Sequence, residues 1–443
     1  MRLSVADEGE QLDEQEPNTL LMLIGSAAFA LLLCLGAAGY FVVESWGPPA
    51  HSPAGATAPA ADGQGSKPAV TPAGARSKAE PEVVVQPAPG MRVPSGKPKI
   101  RRHVDLERIN PLGEVYAGWG SEELLSTDWT QLLLTKATVA VPEGAAIRLN
   151  VDWDATDISA LLKVQPDDLD VLDLSRATLD SATLAPVSHL TGLRALRLEG
   201  AGIDDRALKH LQGLRSLEIL DLHNCPITDA GLDTIARLPG LRALYLRQVR
   251  ITPTGLKKIG RMKKLTHLQL LNMPIADQDL AALANMPKLV NLRLASNGLS
   301  DQGLVWLKNL RSLRVLELVG NHVHGSGLAS LRGATLLWIN LGESDVDDAG
   351  LTGIVGINGP ITLFLDKTGI TDLSVPTLLR LPQLQNLNLA QTRLTDAGAT
   401  RLEGMKSLKL LNLPSQIGPA TRAKLEKLMP QCKIDQADGW PFH

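Results

Sequence analysis

The sequence contains few of the residues that build disulfide frameworks, zinc sites and aromatic surfaces. Its 443 residues include only 3 cysteines, at positions 34, 225 and 432, and aromatic residues make up 3%. Three cysteines without a CxxC pair exclude a disulfide framework and a CxxC-type zinc site. The aromatic residues are too few for a base-stacking platform or an ordinary aromatic core. The apolar content is therefore aliphatic, and most of it is leucine.

An excess of one charge is also absent. The chain has 44 Lys and Arg against 47 Asp and Glu, a net charge of −3. A nucleic-acid-binding protein would show a concentrated basic surface. The charge balance therefore argues against a nucleic-acid partner.

The motifs of common catalytic sites are missing as well. The sequence has no GxxxxGK[ST], HExxH or GxSxG pattern. His322 and His324 flank Val323, but the repeat register offers no third ligand, so we expect two solvated histidines beside a core valine. Cys225 is expected to be a buried apolar residue. We predict a protein that is not an enzyme and has no cofactor, metal site or small-molecule substrate.

The N-terminal part divides into an acidic tail, residues 1–18, and an uncharged run, residues 19–43. A helix of 25 residues is long enough to cross a bilayer with some tilt. Tyr40, Phe41 and Trp46 lie where an interfacial aromatic belt would be. A cleaved signal peptide is the alternative, but the run is long and an acidic segment precedes it. We therefore predict a single-pass transmembrane helix that contacts the lipid bilayer through residues 19–43.

Residues 44–103 are predicted to be a Pro/Ala-rich disordered linker. Residues 47–99 contain no Leu, Ile, Phe, Trp or Tyr, so they cannot bury enough apolar surface to offset the entropy of ordering. The linker is similar to the spacers of bacterial envelope proteins, which favours a repeat domain outside the cytoplasm at the cell membrane. Its basic end (Lys97, Lys99, Arg101, Arg102) is expected to be a solvated hinge, with contact to an anionic polymer as the alternative.

The remaining chain is a repeat with a period of 24 residues, apart from one step of 23. The pattern LxxLxL, or a close variant, begins at Leu169, Leu193, Leu217, Leu241, Leu265, Leu289, Leu313, Leu336, Pro360, Leu384 and Leu408. Alternation within the pattern predicts a short strand, and leucines at three-residue spacing in the second half predict a helical turn. A recurrent Asp, as in Asp229 and Asp396, is expected to cap that turn rather than to act as a catalytic acid.

This unit resembles the leucine-rich repeat of bacterial membrane-anchored proteins in the ribonuclease-inhibitor-like class, which share LxxLxL followed by ITDxGL. The resemblance implies an α/β solenoid, a leucine-rich-repeat horseshoe with a parallel concave sheet and helices on the convex side. We assign eleven repeats to residues 169–413, an irregular N-terminal cap to 104–168 and a C-terminal cap with a last helix and strand to 414–443. Trp119, Trp129 and Trp153 are expected to cover the open core.

The resemblance implies a binding scaffold, so the exposed strand positions are the candidate site. Cationic and aromatic residues, the types that dominate interface hot spots, collect in the middle of the array. The predicted partner-binding residues on the concave face are Arg197, Asp221, His223, Tyr245, Arg247, His267, Gln269, Arg293, Trp338 and Phe364. Leu271 and Val319 add apolar groups where water is expected. Asp173, Arg197 and Asp221 are also expected to form cross-strand ion pairs.

Two functions remain open from the sequence. One is a membrane-tethered protein–protein interaction scaffold that captures a protein or peptide on the concave face. The other is a structural envelope component that binds wall or surface polymer through the basic hinge and the polar end of the array at Asn388, Gln391 and Asn412. Salt should weaken polymer binding through Lys and Arg far more than binding at an apolar hot spot.

Overall fold

The computed structural model describes residues 83–84, 100–105, 112–119, 130–131, 138–152 and 154–436. The predicted acidic tail, the predicted transmembrane segment 19–43 and most of the predicted linker lie outside these residues. Within the described part of the chain, no helix is both long and apolar enough to cross a bilayer.

The main feature of the fold is a 15-stranded sheet whose last thirteen strands follow chain order, each parallel to the next. Each of the eleven predicted repeats contains one of these strands, which begins within its LxxLxL segment. The strands are β1 (Val83–Val84), β2 (Ile100–Asp105), β3 (Gly113–Trp119), β4 (Thr130–Gln131), β5 (Thr138–Pro142), β6 (Ala145–Val151), β7 (Val171–Asp173), β8 (Ala195–Arg197), β9 (Ile219–Asp221), β10 (Ala243–Arg247), β11 (His267–Leu271), β12 (Asn291–Arg293), β13 (Val315–Glu317), β14 (Trp338–Asn340), β15 (Thr362–Phe364), β16 (Asn386–Asn388), β17 (Leu410–Asn412) and β18 (Lys433–Asp435).

Short helical turns return the chain from one strand to the next. The α-helices are Asp229–Ile235, Pro253–Ile259, Asp301–Leu304, Val375–Leu378, Asp396–Arg401 and Pro419–Leu428. Other turns are 3₁₀-helices: Ser159–Lys163, Ala185–His189, Ala207–Leu211, Asp277–Leu283, Val305–Asn309, Ser326–Leu331, Gly350–Ile354, Asp372–Ser374 and Leu402–Gly404. A 24-residue repeat leaves room for only one or two turns, which favours the tighter 3₁₀ form.

The core lies between the sheet and the helical turns. Leu169, Leu172 and Leu174 of the first repeat are fully buried, and the equivalent residues of later repeats continue the same cluster. No repeat covers its leucines alone, so neighbouring repeats bury them by stacking.

The prediction that the recurrent Asp caps its own helical turn is wrong, because its carboxylate bonds to the next repeat instead. Thr228 is the N-cap of the helix Asp229–Ile235, and its Oγ1 accepts a hydrogen bond from the backbone N–H of Ala230. Asp205 of the preceding repeat instead accepts from the backbone N–H of Thr228 at 2.9 Å and from its hydroxyl at 2.5 Å.

The same contact recurs between other neighbouring repeats, and we call the set the Asp ladder. Its further pairs are Asp229 with Thr252, Asp277 with Ser300, Asp348 with Thr371 and Asp372 with Thr395. The carboxylate therefore joins repeats, and the hydroxyls of Thr228, Thr252, Ser300 and Thr371 cap their turns.

Both ends of the array depart from the repeat. Strand β6 pairs in parallel with β7 and in antiparallel with β3, so parallel stacking begins one strand before the first repeat. At the other end, the predicted last helix and strand are confirmed as Pro419–Leu428 and β18. The side chains of Trp119, Trp129 and Trp153, which were predicted to cover the core, lie outside the described residues. The boundary at residue 169 stays a prediction.

The C-terminal end of the predicted linker is ordered. Residues 100–103 belong to β2, which pairs in antiparallel with β5. Arg101 donates to the Asp170 carboxylate at 2.9 Å, and Arg102 donates to the same carboxylate and to the backbone carbonyl of Asp168. Asp170 is buried, so it needs these donors. Arg101 and Arg102 are therefore not a solvated hinge; they hold the cap against the first repeat.

Candidate partner-binding surface on the concave face

The concave face is the face of the sheet that carries positions three, five and seven of each repeat. Position five forms one continuous row because adjacent parallel strands are in register. Along this row the partners are Arg197, Asp221, Tyr245, Gln269, Arg293, Glu317, Asn340 and Phe364. Six of the predicted site residues lie in this row. His267 and Trp338 lie at position three, and His223 and Arg247 at position seven.

The concave face is much less exposed than the sequence suggests. Tyr245 is 8% exposed, Arg293 is 6% exposed and Trp338 is 8% exposed. Strands in register place equivalent side chains about 4.8 Å apart, so large side chains cover one another. The expectation of exposed strand positions is therefore wrong for these three residues and for Asp221, Gln269 and Phe364, which are also buried. Arg197, His223, Arg247 and His267 are half-buried.

The N-terminal part of the row is polar. Asp173 pairs with Arg197 at 3.6 Å, which confirms that predicted ion pair, and with Arg148 at 2.7 Å. Burial alone would raise the pKa of Asp173, but Arg197 and Arg148 hold it below its usual value. Tyr245 lies beside His223, with ring centroids 6.2 Å apart, and burial raises the pKa of Tyr245.

Farther along the array, positions three and five of the concave face carry two packed aromatic residues. The Arg293 guanidinium lies 5.8 Å from the centre of the Trp338 ring and 3.4 Å from Glu317. Trp338 packs at a tilt against Phe364, with centroids 5.2 Å apart. These contacts fix the three large side chains before any partner arrives. Beside them, burial and the nearby Arg293 charge lower the pKa of His267 to about 4, so this histidine is neutral at physiological pH.

Position seven supplies the accessible margin of the surface. Arg247 and Leu271 are neighbours in register, and both are half-buried, as is Val319. A partner on the concave face would meet these side chains together with the outer edges of the aromatic residues.

Sequence reasoning missed a cluster at the junction of the second and third repeats. One ligating atom from each of Glu199, Asp221 and His223 lies within 4.8 Å of the other two. Asp221 and His223 were singled out for partner binding, but Glu199 was not. Comparing position seven of one repeat with positions five and seven of the next would have revealed the cluster, because the register brings them side by side.

Other expectations about single residues are met. His322 and His324 are exposed and Val323 is buried between them. Cys225 is buried, donates its thiol to the carbonyl of Leu198 and has a pKa raised to about 12 by burial. It behaves as a small apolar residue, not as a nucleophile.

Two segments of the chain match a known family, and several solved structures are similar. Residues 213–236 and 309–331 match the family described as leucine-rich repeat. An internalin (inlF) of Listeria monocytogenes is 21% identical with a TM-score of 0.44, covering 66% of this chain and 87% of that one. An internalin C2 (inlC2) of the same organism is 26% identical with a TM-score of 0.38, covering 46% and 83%.

The third similar structure is that of a plant protein. The leucine-rich-repeat ectodomain of the Arabidopsis thaliana membrane receptor kinase GASSHO1/SCHENGEN3, solved in complex with CASPARIAN STRIP INTEGRITY FACTOR 2, is 21% identical with a TM-score of 0.39, covering 65% of this chain and 35% of that one. No curated protein matches the sequence. From the family match and the parallel stack of repeats, the chain contains leucine-rich repeats that form a solenoid.

Proposed function

We propose that this protein is a membrane-tethered interaction scaffold that captures a protein or peptide on its concave face, with the repeat domain outside the cytoplasm. The observation that carries the proposal is the position-five row. It joins Tyr245, Arg293 and Phe364 in one continuous line, with Trp338 beside it at position three. These residue types dominate interface hot spots.

The packing of the row also suits a binding surface. Arg293, Trp338 and Phe364 are held by each other, so their rotamers are set before association. A preorganised surface loses less conformational entropy when a partner binds. Half-buried Arg247 and Leu271 extend the surface along its margin.

The tether is proposed from the sequence of the N-terminal part. Residues 19–43 carry no charge, and a Pro/Ala-rich segment separates them from the repeats. An anchor with such a spacer would hold the solenoid away from the bilayer and leave its concave face accessible.

The alternative, a structural component that binds wall polymer through the basic hinge and the polar end at Asn388, Gln391 and Asn412, is disfavoured. Asn388 and Asn412 are buried. Two of the four basic residues in that hinge, Arg101 and Arg102, donate to the buried Asp170. Cations already paired with a buried carboxylate contribute little to binding an anionic polymer.

In-cell photocrosslinking tests the proposal. A photoreactive benzoylphenylalanine replaces Leu271 on the concave margin, and the matched control carries it at Lys257, which is exposed on the opposite, helical side. We expect one specific protein to be captured from position 271 and not from 257, and capture to persist in high salt. Its compartment tests the proposed topology. Lipid, wall material or nothing from both positions would overturn the proposal.

A further inference from the structure

Three metal-ligating side chains meet on the concave face where the second repeat contacts the third. Glu199 lies two residues after β8, Asp221 ends β9, and His223 follows two residues later. One ligating atom from each lies within 4.8 Å of the others. Asp221 is buried, and the other two residues are half-buried.

The spacing fits a common coordination geometry. The Nδ1 atom of His223 lies 3.3 Å from Oδ1 of Asp221. Two ligands that each lie about 2.1 Å from a tetrahedral metal are themselves about 3.4 Å apart. The flexible side chain of Glu199 can close the remaining distance by rotation.

The charges in the cluster favour a cation. Carboxylate oxygens of Glu199 and Asp221 lie within 4.8 Å of each other. Two carboxylates held this close repel each other in a half-buried site. A divalent cation between them would remove that repulsion.

The imidazole faces Asp221 through one ring nitrogen. Nδ1 of His223 is the atom beside the Asp221 carboxylate, and Nε2 is buried with no hydrogen-bond partner within the described part of the chain. The metal ligand is therefore Nδ1, and Nε2 would carry the proton of the metal-bound ring.

From this geometry we propose that Glu199, Asp221 and His223 bind one divalent transition-metal ion. A donor set of one nitrogen and two carboxylate oxygens suits Zn²⁺ or Mn²⁺ better than Mg²⁺ or Ca²⁺, which prefer oxygen ligands alone. Three protein ligands leave at least one coordination position for water or for another molecule. The inference goes beyond partner capture, because the ion can bind whether or not the concave face captures a protein.

Calorimetric titration tests the site on the full, untagged chain after treatment with a chelator. The probes are ZnCl₂ and MnCl₂, each added alone, and thermal unfolding with and without the metal gives a second readout. We expect one equivalent per chain and a higher melting temperature that a chelator reverses. His223→Ala and Glu199→Gln should each lower the affinity by a factor of about 10 or more.

His322→Ala is the matched control, because His322 is an exposed histidine whose Nδ1 lies 3.0 Å from the Asp345 carboxylate. It should leave the affinity unchanged. Glu199→Gln keeps the size of the side chain, so it remains informative if His223→Ala does not fold. The inference is overturned if the wild-type chain binds neither ion, or if the affinity survives in both site variants. Loss of binding in His322→Ala alone would place the ion elsewhere and also overturn it.

Discussion

The helical side of the solenoid and its concave face share one period but differ in how strictly residues recur at equivalent positions. On the helical side, the Asp ladder repeats one contact at several junctions, as between Asp229 and Thr252 or Asp277 and Ser300. On the concave face, the position-five row changes its residue type from repeat to repeat. Stacking can reuse one contact from junction to junction, whereas a partner surface has no such period. Residues that recur in register therefore stabilise the stack, and residues that differ in register are the candidates for recognition.

The greatest loss of stability is predicted for a substitution that disrupts the Asp ladder at a glycine. A Cβ at Gly303 would lie 2.6 Å from Oδ1 of Asp277, the atom that accepts from the backbone N–H of Ser300. Gly303→Ala should therefore lower the free energy of unfolding by about 3 kcal/mol, since it adds a clash and displaces a bonded carboxylate. Urea denaturation measures the change.

Gly213→Ala is the matched control for that prediction. A Cβ at Gly213 would meet no atom closer than 4.0 Å, and the φ angle of Gly213 is not positive. This variant should be neutral or slightly stabilising. The double variant Asp277→Ala, Gly303→Ala should lose less than the sum of the two single changes, because the clash needs the carboxylate. Strict additivity would contradict the interpretation.

A smaller effect is expected when the carboxylate itself is removed. Asp229→Ala deletes both hydrogen bonds to Thr252 and leaves a backbone N–H without its partner, at a loss of about 2 kcal/mol in unfolding free energy. Asp233→Ala, in the same helix, removes only an exposed ion pair with Lys258 and should change the stability by less than about 0.5 kcal/mol. Equal losses in the two variants would show that the ladder has no special role. Thermal or urea unfolding at pH 7 measures both.

On the concave face, the contribution of His267 to stability should depend on pH. Because the pKa of His267 is about 4 in the fold and near 6.5 when unfolded, the unfolded chain binds more protons between these values. The contribution of the neutral His267 is complete above pH 6.5 and falls as the pH drops towards 4. At pH 5.5 it should have decreased by about 1 kcal/mol. His267→Gln should lose this part of the pH dependence. The measurement is the unfolding free energy of the wild type and of the variant at pH 7.5 and at pH 5.5. An equal change with pH in the two proteins would refute the prediction.

The smallest effect on stability is expected at the margin of the binding surface. Leu271→Ser changes a half-buried side chain outside the ladder and should alter the unfolding free energy by no more than about 1 kcal/mol. The same change should reduce capture of the crosslinked partner at least several-fold, measured by co-purification. Normal capture by a folded Leu271→Ser chain would remove this residue from the proposed surface.

The candidate site could be predicted only in part. The register alone places Tyr245, Gln269 and Arg293 in adjacent strands, because a fixed period fixes which residues are neighbours. The exposure of those residues could not be predicted, since it depends on how large side chains cover each other across strands. The cluster of Glu199 with Asp221 and His223 was within reach of the register but involves three positions in two repeats.

The ends of the array were less predictable than its middle. Nothing in the local sequence around Arg101 and Arg102 indicates that both donate to Asp170, nearly seventy residues later in the chain. A basic segment next to prolines and glycines is typical of a solvated linker. The contact arises because strand β2 pairs with β5, and that pairing brings the arginines to the first repeat.

The period, the strand of every repeat and the buried leucines follow from the amino-acid sequence alone, because a unit that cannot cover its own apolar residues must stack. The atoms that join the repeats depend on the tertiary structure. Asn224, three residues after β9, and Gln248, directly after β10, take a positive φ although neither is glycine. Their backbone N–H groups donate to carbonyls of the next repeat, at 2.8 Å to Arg247 and 3.1 Å to Leu271. These bonds offset the strain of a left-handed residue, and they exist only once the neighbouring repeat is in place.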